Sequence, residues 1–196
     1  TSHALVLRHK EPRPWLVCVH GFGMGKPAQD VQAFRARQLH ERAGLNVALF
    51  VLPVHGPRAP GRVNGEKFFG LSVLDFIHAE AQAVWDLRRL IAWVRQQEAS
   101  RIGVYGISLG GYTSAVLAGL EDGLACVIAG IPPADMIATT EHLASSFERR
   151  IGAAAGVDHK RDRDLYRVVS PLALSPRVER NRRFMFAATA DQFVPI

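Results

Sequence analysis

The chain is poor in cysteine and has no long hydrophobic run. Its 196 residues include two cysteines, Cys18 and Cys126, each inside a short apolar stretch, which indicates two small core residues rather than a disulfide framework. No apolar run approaches the ~20 residues that cross a bilayer, and no signal peptide is visible, so we expect a cytoplasmic protein without a membrane span. His, Cys, Asp and Glu nowhere show the close spacing of a metal site, so we also expect no metal.

Lysine is scarce, and the positive charge comes almost wholly from arginine. The 24 basic residues exceed the 18 acidic ones and give a formal net charge of +6. The basic residues are scattered, and their denser zones at 149–167 and 177–183 lack the interleaved aromatic residues that stack on bases. We therefore expect a solvated basic surface and no nucleic-acid partner. The net positive charge is also compatible with attraction of anionic substrates. Nothing in the sequence indicates an oligomeric state.

Short apolar runs alternate along the chain with longer segments of helical periodicity. Because a single core accommodates this length, we expect one domain. Strands alternating with helices predict an α/β protein with a mainly parallel central sheet flanked by helices, whose ligand crevice lies at the carboxyl ends of the strands. The predicted strands span 4–7, 15–19, 46–52, 101–107, 124–130 and 184–188, and the main predicted helices span 28–43 and 72–97.

The most informative motif is Gly-Ile-Ser-Leu-Gly at 106–110. It follows a strand-like run and precedes a helix-like one, which is the context of a nucleophile elbow. Small residues two before and two after Ser108 allow a tight turn without Cβ clashes, and the following helix points its free N–H groups at the serine. The motif predicts Ser108 as a catalytic nucleophile.

A glycine-rich loop, His-Gly-Phe-Gly-Met-Gly at 20–25, follows the predicted strand 15–19. Backbone N–H groups in such a loop suit an oxyanion hole, and they suit a phosphate cradle equally well. The loop lacks the full Gly-x-Gly-x-x-Gly spacing and any Gly-Lys-Ser/Thr sequence, which makes nucleotide binding the weaker interpretation.

These two motifs, together with Ala-Ala-Thr-Ala-Asp-Gln-Phe-Val-Pro at 187–195, resemble the α/β-hydrolase superfamily of the serine esterase type. The resemblance covers nearly the whole chain. It implies that Asp191 is the acid of a catalytic triad, and that the N–H groups of Phe22 and Leu109 form the oxyanion hole. Asp135, after the predicted strand 124–130, is the alternative acid.

The superfamily places the triad histidine after the acid, and here the last histidine is His159. We therefore expect residues 1–196 to form a single α/β-hydrolase domain that lacks its C-terminal strand and helix, with the histidine beyond residue 196 and the edge of strand 184–188 left uncovered. The segment 132–170 is long and contains two helical patches, at 136–151 and 162–169. We expect it to form either a small helical cap over the site or an ordinary crossover.

Four further residues are predicted to line the substrate pocket, namely Met24, His55, Phe68 and Phe69. Loop aromatics also serve simply as satellite packing. The predicted function is hydrolysis of an ester or related acyl bond in a small molecule through a Ser-Asp-His triad, without a cofactor. The alternative is a non-catalytic binding or interaction protein with the same fold, which the lack of a histidine after Asp191 favours.

Overall fold

The computed structural model describes residues 2–61, 63–70, 72–144 and 159–194. Within these ranges the strands form one six-stranded sheet, in the order β1-β3-β2-β4-β5-β6. The strands are β1 (His3–Leu7), β2 (Trp15–Val19), β3 (Asn46–Val51), β4 (Ile102–Ile107), β5 (Cys126–Gly130) and β6 (Arg183–Phe186). Only β1 runs antiparallel to its neighbour, which confirms the predicted mainly parallel sheet.

Helices cover both faces of the sheet. They are α1 (Pro27–Ala33), α2 (Ala36–Glu41), α3 (Glu66–Phe69), α4 (Val73–Arg95), α5 (Leu109–Ala118), α6 (Met136–Leu143) and α7 (His159–Tyr166). The larger apolar core lies between the sheet and helices α4 and α5, and a smaller one lies beneath α1 and α2. In the described residues, no helix combines the length and apolar character needed to cross a membrane.

The predicted helix 28–43 is wrong as a single helix. Arg35 adopts a left-handed conformation, with φ of 49°, and separates α1 from α2. Phe34, directly before it, is buried, and its ring meets Tyr105 edge-on at a centroid distance of 5.2 Å. The break lets the chain change direction while Phe34 stays in the smaller core, a tertiary effect that local periodicity does not encode.

The N-terminus of helix α4 is fixed by a capping motif in its sequence. Ser72 and Asp75 form a reciprocal capping box, in which the Ser72 hydroxyl accepts the Asp75 N–H and the Asp75 carboxylate accepts the Ser72 N–H. This arrangement satisfies donors that a helix N-terminus leaves free. The long helix then buries one apolar stripe, including Phe76, Leu87 and Ile91, against the sheet and α5.

Part of the predicted cap segment lies in the described ranges, as α6, α7 and a 3-10 turn at Arg167–Val169. Arg163 of α7 donates to Asp135 at 2.8 Å and to Glu141 at 3.4 Å, which ties α7 to α6. Tyr112 of α5 donates its hydroxyl to the Val169 carbonyl at 2.9 Å. The segment is thus fastened to the helix that follows Ser108. Residues 145–158, including much of the patch predicted at 136–151, lie outside the described residues.

Candidate active site

Ser108 occupies a strained turn between β4 and α5. Its φ of 55° and ψ of −118° are unusual for a residue with a side chain, and such strain persists only where the surroundings impose it. Its N–H donates to the Gly130 carbonyl at the end of β5, at 2.8 Å. The turn is therefore anchored to the neighbouring strand while the serine stands at the carboxyl edge of the sheet.

The two glycines of the motif are required by close backbone contacts. A Cβ atom on Gly106 would collide with the Gly110 carbonyl oxygen and the Ser114 hydroxyl. A Cβ atom on Gly110 would collide with the Val19 carbonyl oxygen at the end of β2. Only glycine allows the turn to fold this closely against its own helix and against β2.

The glycine-rich loop at 20–25 lies directly beside the serine. A Cβ atom built on Gly21 would lie 3.4 Å from the Ser108 Cβ atom. Neither the Phe22 N–H nor the Leu109 N–H donates a hydrogen bond within the part of the chain that the structure describes. Two backbone N–H groups near Ser108 are thus unpaired, one on the loop residue after Gly21 and one on the first residue of α5.

His20 holds the glycine-rich loop in place. Its Nε2 accepts the Leu52 N–H at 3.1 Å, so Nδ1 carries the proton and donates to the Gly21 carbonyl at 2.7 Å. Burial lowers the pKa of His20 to about 4, and the ring is neutral near pH 7. A buried, neutral imidazole with both nitrogens occupied clamps two loops together and is not available as a base.

Asp191 sits on a turn after β6. One carboxylate oxygen accepts the N–H groups of Phe193 at 2.8 Å and Val194 at 3.1 Å, and these bonds lower the pKa of Asp191. Among the described residues the other oxygen has no partner. Asp191 lines a cavity of about 470 Å³ whose wall includes Ile131, the residue after β5. The carboxylate is thus ionised, fixed by its turn, and open on one side.

Asp135, the alternative acid, is used differently. It is the N-cap of α6, where Oδ1 accepts the Ala138 N–H at 2.9 Å. Its Oδ2 forms the ion pair with Arg163 at 2.8 Å. Because both oxygens are occupied, Asp191 is the better placed of the two to orient another side chain.

The predicted pocket aromatics come together as one cluster. The Phe22 ring contacts Phe69 at a centroid distance of 5.2 Å and His55 at 5.8 Å, and His55 contacts Phe68 at 5.6 Å. His55 and Phe68 are fully buried, whereas Phe22 is 47% exposed. His55 and Phe68 therefore form the base of the cluster, and Phe22 and the half-buried Phe69 form its outer part.

His55 is not presented to the serine as a free base. Its Nδ1 donates to the Pro53 carbonyl at 2.8 Å, and Nε2 faces the Gly65 backbone without a hydrogen-bond partner in the described residues. Burial lowers the pKa of His55, and the nearby Arg58 lowers it further. Met24 lies half-buried near Gly21. Contact of any of these residues with a substrate stays a prediction.

Two further residues, Asn64 and Arg58, hold the loops of the site together through contacts that the sequence does not reveal. Asn64 accepts the Gly56 N–H at 2.7 Å and donates to the carbonyls of Gly23 and Met24 at 2.6 and 2.7 Å. It joins the loop at 53–65, which carries His55, to the glycine-rich loop at 20–25. Arg58 pairs with Asp86 of α4 at 2.7 Å in a nearly buried ion pair. Both links join residues far apart in sequence, which local motifs do not reveal.

The described residues contain no group of three or more His, Cys, Asp or Glu side chains arranged to hold a metal ion. The cysteines are ordinary core residues: Cys18 is buried, Cys126 is partly so, and burial raises the pKa of both thiols.

The sheet order, the strained serine turn and the glycine-rich loop place the chain in the α/β-hydrolase superfamily, which confirms the predicted resemblance. Solved structures agree on the fold. An esterase from Pyrococcus furiosus superposes with a TM-score of 0.61 and 16% identity, over 94% of this chain and 65% of the esterase. An acetyl xylan esterase from Paenibacillus sp. R4 superposes with a TM-score of 0.60 and 21% identity, over 87% of this chain and 58% of that enzyme.

The sequence profile of the prolyl oligopeptidase family matches residues 82–196, more than half of the chain. The chain therefore belongs to the prolyl oligopeptidase family. Two curated relatives, uncharacterized proteins from two strains of Mycobacterium tuberculosis, are 47% identical over 202 residues. The match covers 98% of this chain and 46% of each relative, so the chain spans about half of their length.

Proposed function

We propose that this protein is a serine hydrolase that cleaves an ester or related acyl bond. The observation that carries the proposal is the strained Ser108 turn, with φ of 55°, beside the unpaired N–H groups of Phe22 and Leu109. A scaffold that only binds has no need of a strained serine with an unpaired N–H group on the next residue and another on the adjoining loop. Membership of a hydrolase family supports the same chemistry.

In the proposed reaction the Ser108 hydroxyl attacks the acyl carbonyl. The Phe22 and Leu109 N–H groups bind the oxygen on which negative charge develops, and each such donor typically contributes about 3–4 kcal/mol to the transition state. A histidine, whose place in the superfamily order is after Asp191, accepts the serine proton and later protonates the leaving group. Asp191 accepts the N–H of that histidine and stabilises its cationic form.

The proposed substrate is a small acyl compound. The outer aromatic rings, Phe22 and Phe69, offer it apolar surface. A separate cavity of about 470 Å³, lined by Asp191 but not by Ser108, has the size that small-molecule sites have. No element of this reaction requires a metal or an organic cofactor.

A fluorophosphonate probe applied to the full-length protein tests the proposal, since it reacts preferentially with activated serines. We expect the wild-type protein to be labelled, and to hydrolyse at least one member of a panel of p-nitrophenyl esters and a peptide amide. Ser108→Ala should abolish both the labelling and the hydrolysis. The panel also separates ester from amide cleavage. A folded protein that shows neither labelling nor turnover would support the non-catalytic alternative.

A further inference from the structure

A carboxyl group is buried directly behind the candidate nucleophile helix. Glu80 lies in the N-terminal half of α4, and its side chain is fully buried. Its Oε2 lies 3.0 Å from the hydroxyl of Thr113 on α5, and its Oε1 has no partner among the described residues. A buried carboxyl with so few partners is costly to keep, and it contributes nothing to the reaction steps derived above.

The Thr113 hydroxyl connects this carboxyl to the first turn of α5. Besides Glu80, it reaches the carbonyl oxygen of Leu109 at 3.2 Å. Leu109 is the residue after the nucleophile and supplies one of the two free N–H groups. The carboxyl of α4 is therefore linked, through one hydroxyl, to the peptide segment that forms half of the candidate oxyanion hole.

The proton count favours a neutral Glu80. A threonine hydroxyl has a single hydrogen and cannot fully satisfy two acceptors. If Glu80 keeps its proton, it donates to Thr113, and Thr113 then donates to Leu109, so that each contact has its own hydrogen. Burial raises the pKa of Glu80 to about 8, in spite of the opposing effect of the Thr113 hydrogen bond, and the carboxyl is mainly neutral near pH 7.

Among the described residues, burial and the Thr113 hydrogen bond are the influences that shift the pKa of Glu80. Tyr112 of α5 interacts with Glu80, and both burial and the charge of Glu80 raise its pKa. Burial, with a further contribution from Asp162 on the same helix, raises the pKa of Tyr166 of α7 to about 12. Asp135 interacts with Tyr112 but is itself paired with Arg163. Both tyrosines are uncharged at the pH at which Glu80 is protonated.

We propose that Glu80 is a positioning residue, which holds the first turn of α5, and with it the Leu109 N–H, through the hydroxyl of Thr113. The proposal rests on the serine hydrolase function proposed above. The Glu80–Thr113 link positions the Leu109 N–H, which stabilises the substrate oxygen only when negative charge develops on it in the transition state. Loss of the link therefore lowers kcat and leaves KM nearly unchanged.

The test uses four single variants and one double variant of the full-length protein, with an ester substrate that it cleaves. Glu80→Leu and Thr113→Val each remove the link, and each is expected to lower kcat about tenfold with little change in KM. The double variant should fall no further, because both substitutions break the same link. Glu80→Gln and Thr113→Ser keep a donor and an acceptor, and should retain kcat within about twofold.

Glu121 provides a matched control. It is also a buried glutamate, 5% exposed, and it pairs with Arg88 and Arg95 at the other end of α4. Glu121→Leu should lower the melting temperature while kcat stays at the wild-type value. If Glu80→Leu behaves like Glu121→Leu, or if the Glu80 and Thr113 effects multiply in the double variant, the positioning role is refuted.

Hydrogen exchange separates this proposal from the proposed function. The Tyr112 N–H donates to the Ser108 carbonyl at 2.9 Å and reports on the serine turn without any substrate. We expect faster exchange there in Glu80→Leu and Thr113→Val than in the wild type or Glu80→Gln. Lack of fluorophosphonate labelling in the wild type would overturn the hydrolase function, whereas unchanged exchange in both variants would overturn the Glu80 link. Should Glu80→Leu fail to fold, the near-isosteric Thr113→Val tests the Glu80–Thr113 link by the same measurements of kcat and of hydrogen exchange at the Tyr112 N–H.

Discussion

The buried ion pair between Arg58 and Asp86 permits a quantitative prediction. Their side chains are 12% and 5% exposed, and the guanidinium also donates to the Val51 carbonyl at 3.0 Å. The pair fastens the loop that carries His55 to helix α4. Replacing Arg58 by methionine leaves the Asp86 carboxylate buried, with only the Gln82 amide at 3.0 Å as a hydrogen-bond partner.

Removing one partner of a buried ion pair typically costs about 3–5 kcal/mol. We expect Arg58→Met to lower the free energy of unfolding by that amount in urea denaturation. The double variant Arg58→Met/Asp86→Leu should recover a large part of the loss, because no isolated charge then remains buried.

The exposed pair of Arg177 and Asp122 is the control. These side chains are 51% and 73% exposed, although their contact distance is the same 2.7 Å. Arg177→Met should therefore cost less than about 1 kcal/mol. Equal losses for Arg58→Met and Arg177→Met, or a double variant less stable than Arg58→Met, would refute the reasoning.

Three further predictions concern glycine, histidine and cysteine. Gly110→Ala forces a Cβ atom against the Val19 carbonyl and should lower fluorophosphonate labelling of Ser108 more than tenfold, whereas Gly61→Ala, which meets no atom within 4 Å, should leave it unchanged. Because the pKa of His20 is lowered to about 4, its stabilising effect is complete above about pH 6.5 and is lost as the pH falls toward 4. Urea denaturation across this range should show a weaker loss in His20→Gln, and an identical pH profile would contradict the prediction. Cys18, buried and with a raised pKa, should resist iodoacetamide in the native protein and react after unfolding; native labelling would show that the core opens there.

Some predictions from sequence hold because the signal is local. The runs around Val17 and Val104 are apolar throughout, since central parallel strands are buried on both faces, and they form β2 and β4 as expected. The strained turn at Ser108 follows in the same way, because glycines two residues before and after it are what so tight a turn requires.

Other features depend on contacts between distant segments. The sequence contains Glu80, Thr113, Asn64, Arg58 and Asp86 but does not indicate that they meet. From sequence alone, a glutamate in a helix is expected on the surface, whereas Glu80 is buried. The helix break at Arg35 likewise depends on the packing of Phe34 in the smaller core. Sequence by itself thus determined the strands, the serine turn and the superfamily, because those depend on neighbouring residues. Tertiary structure alone decided which polar groups are buried and paired, since burial and pairing depend on segments that only folding brings together.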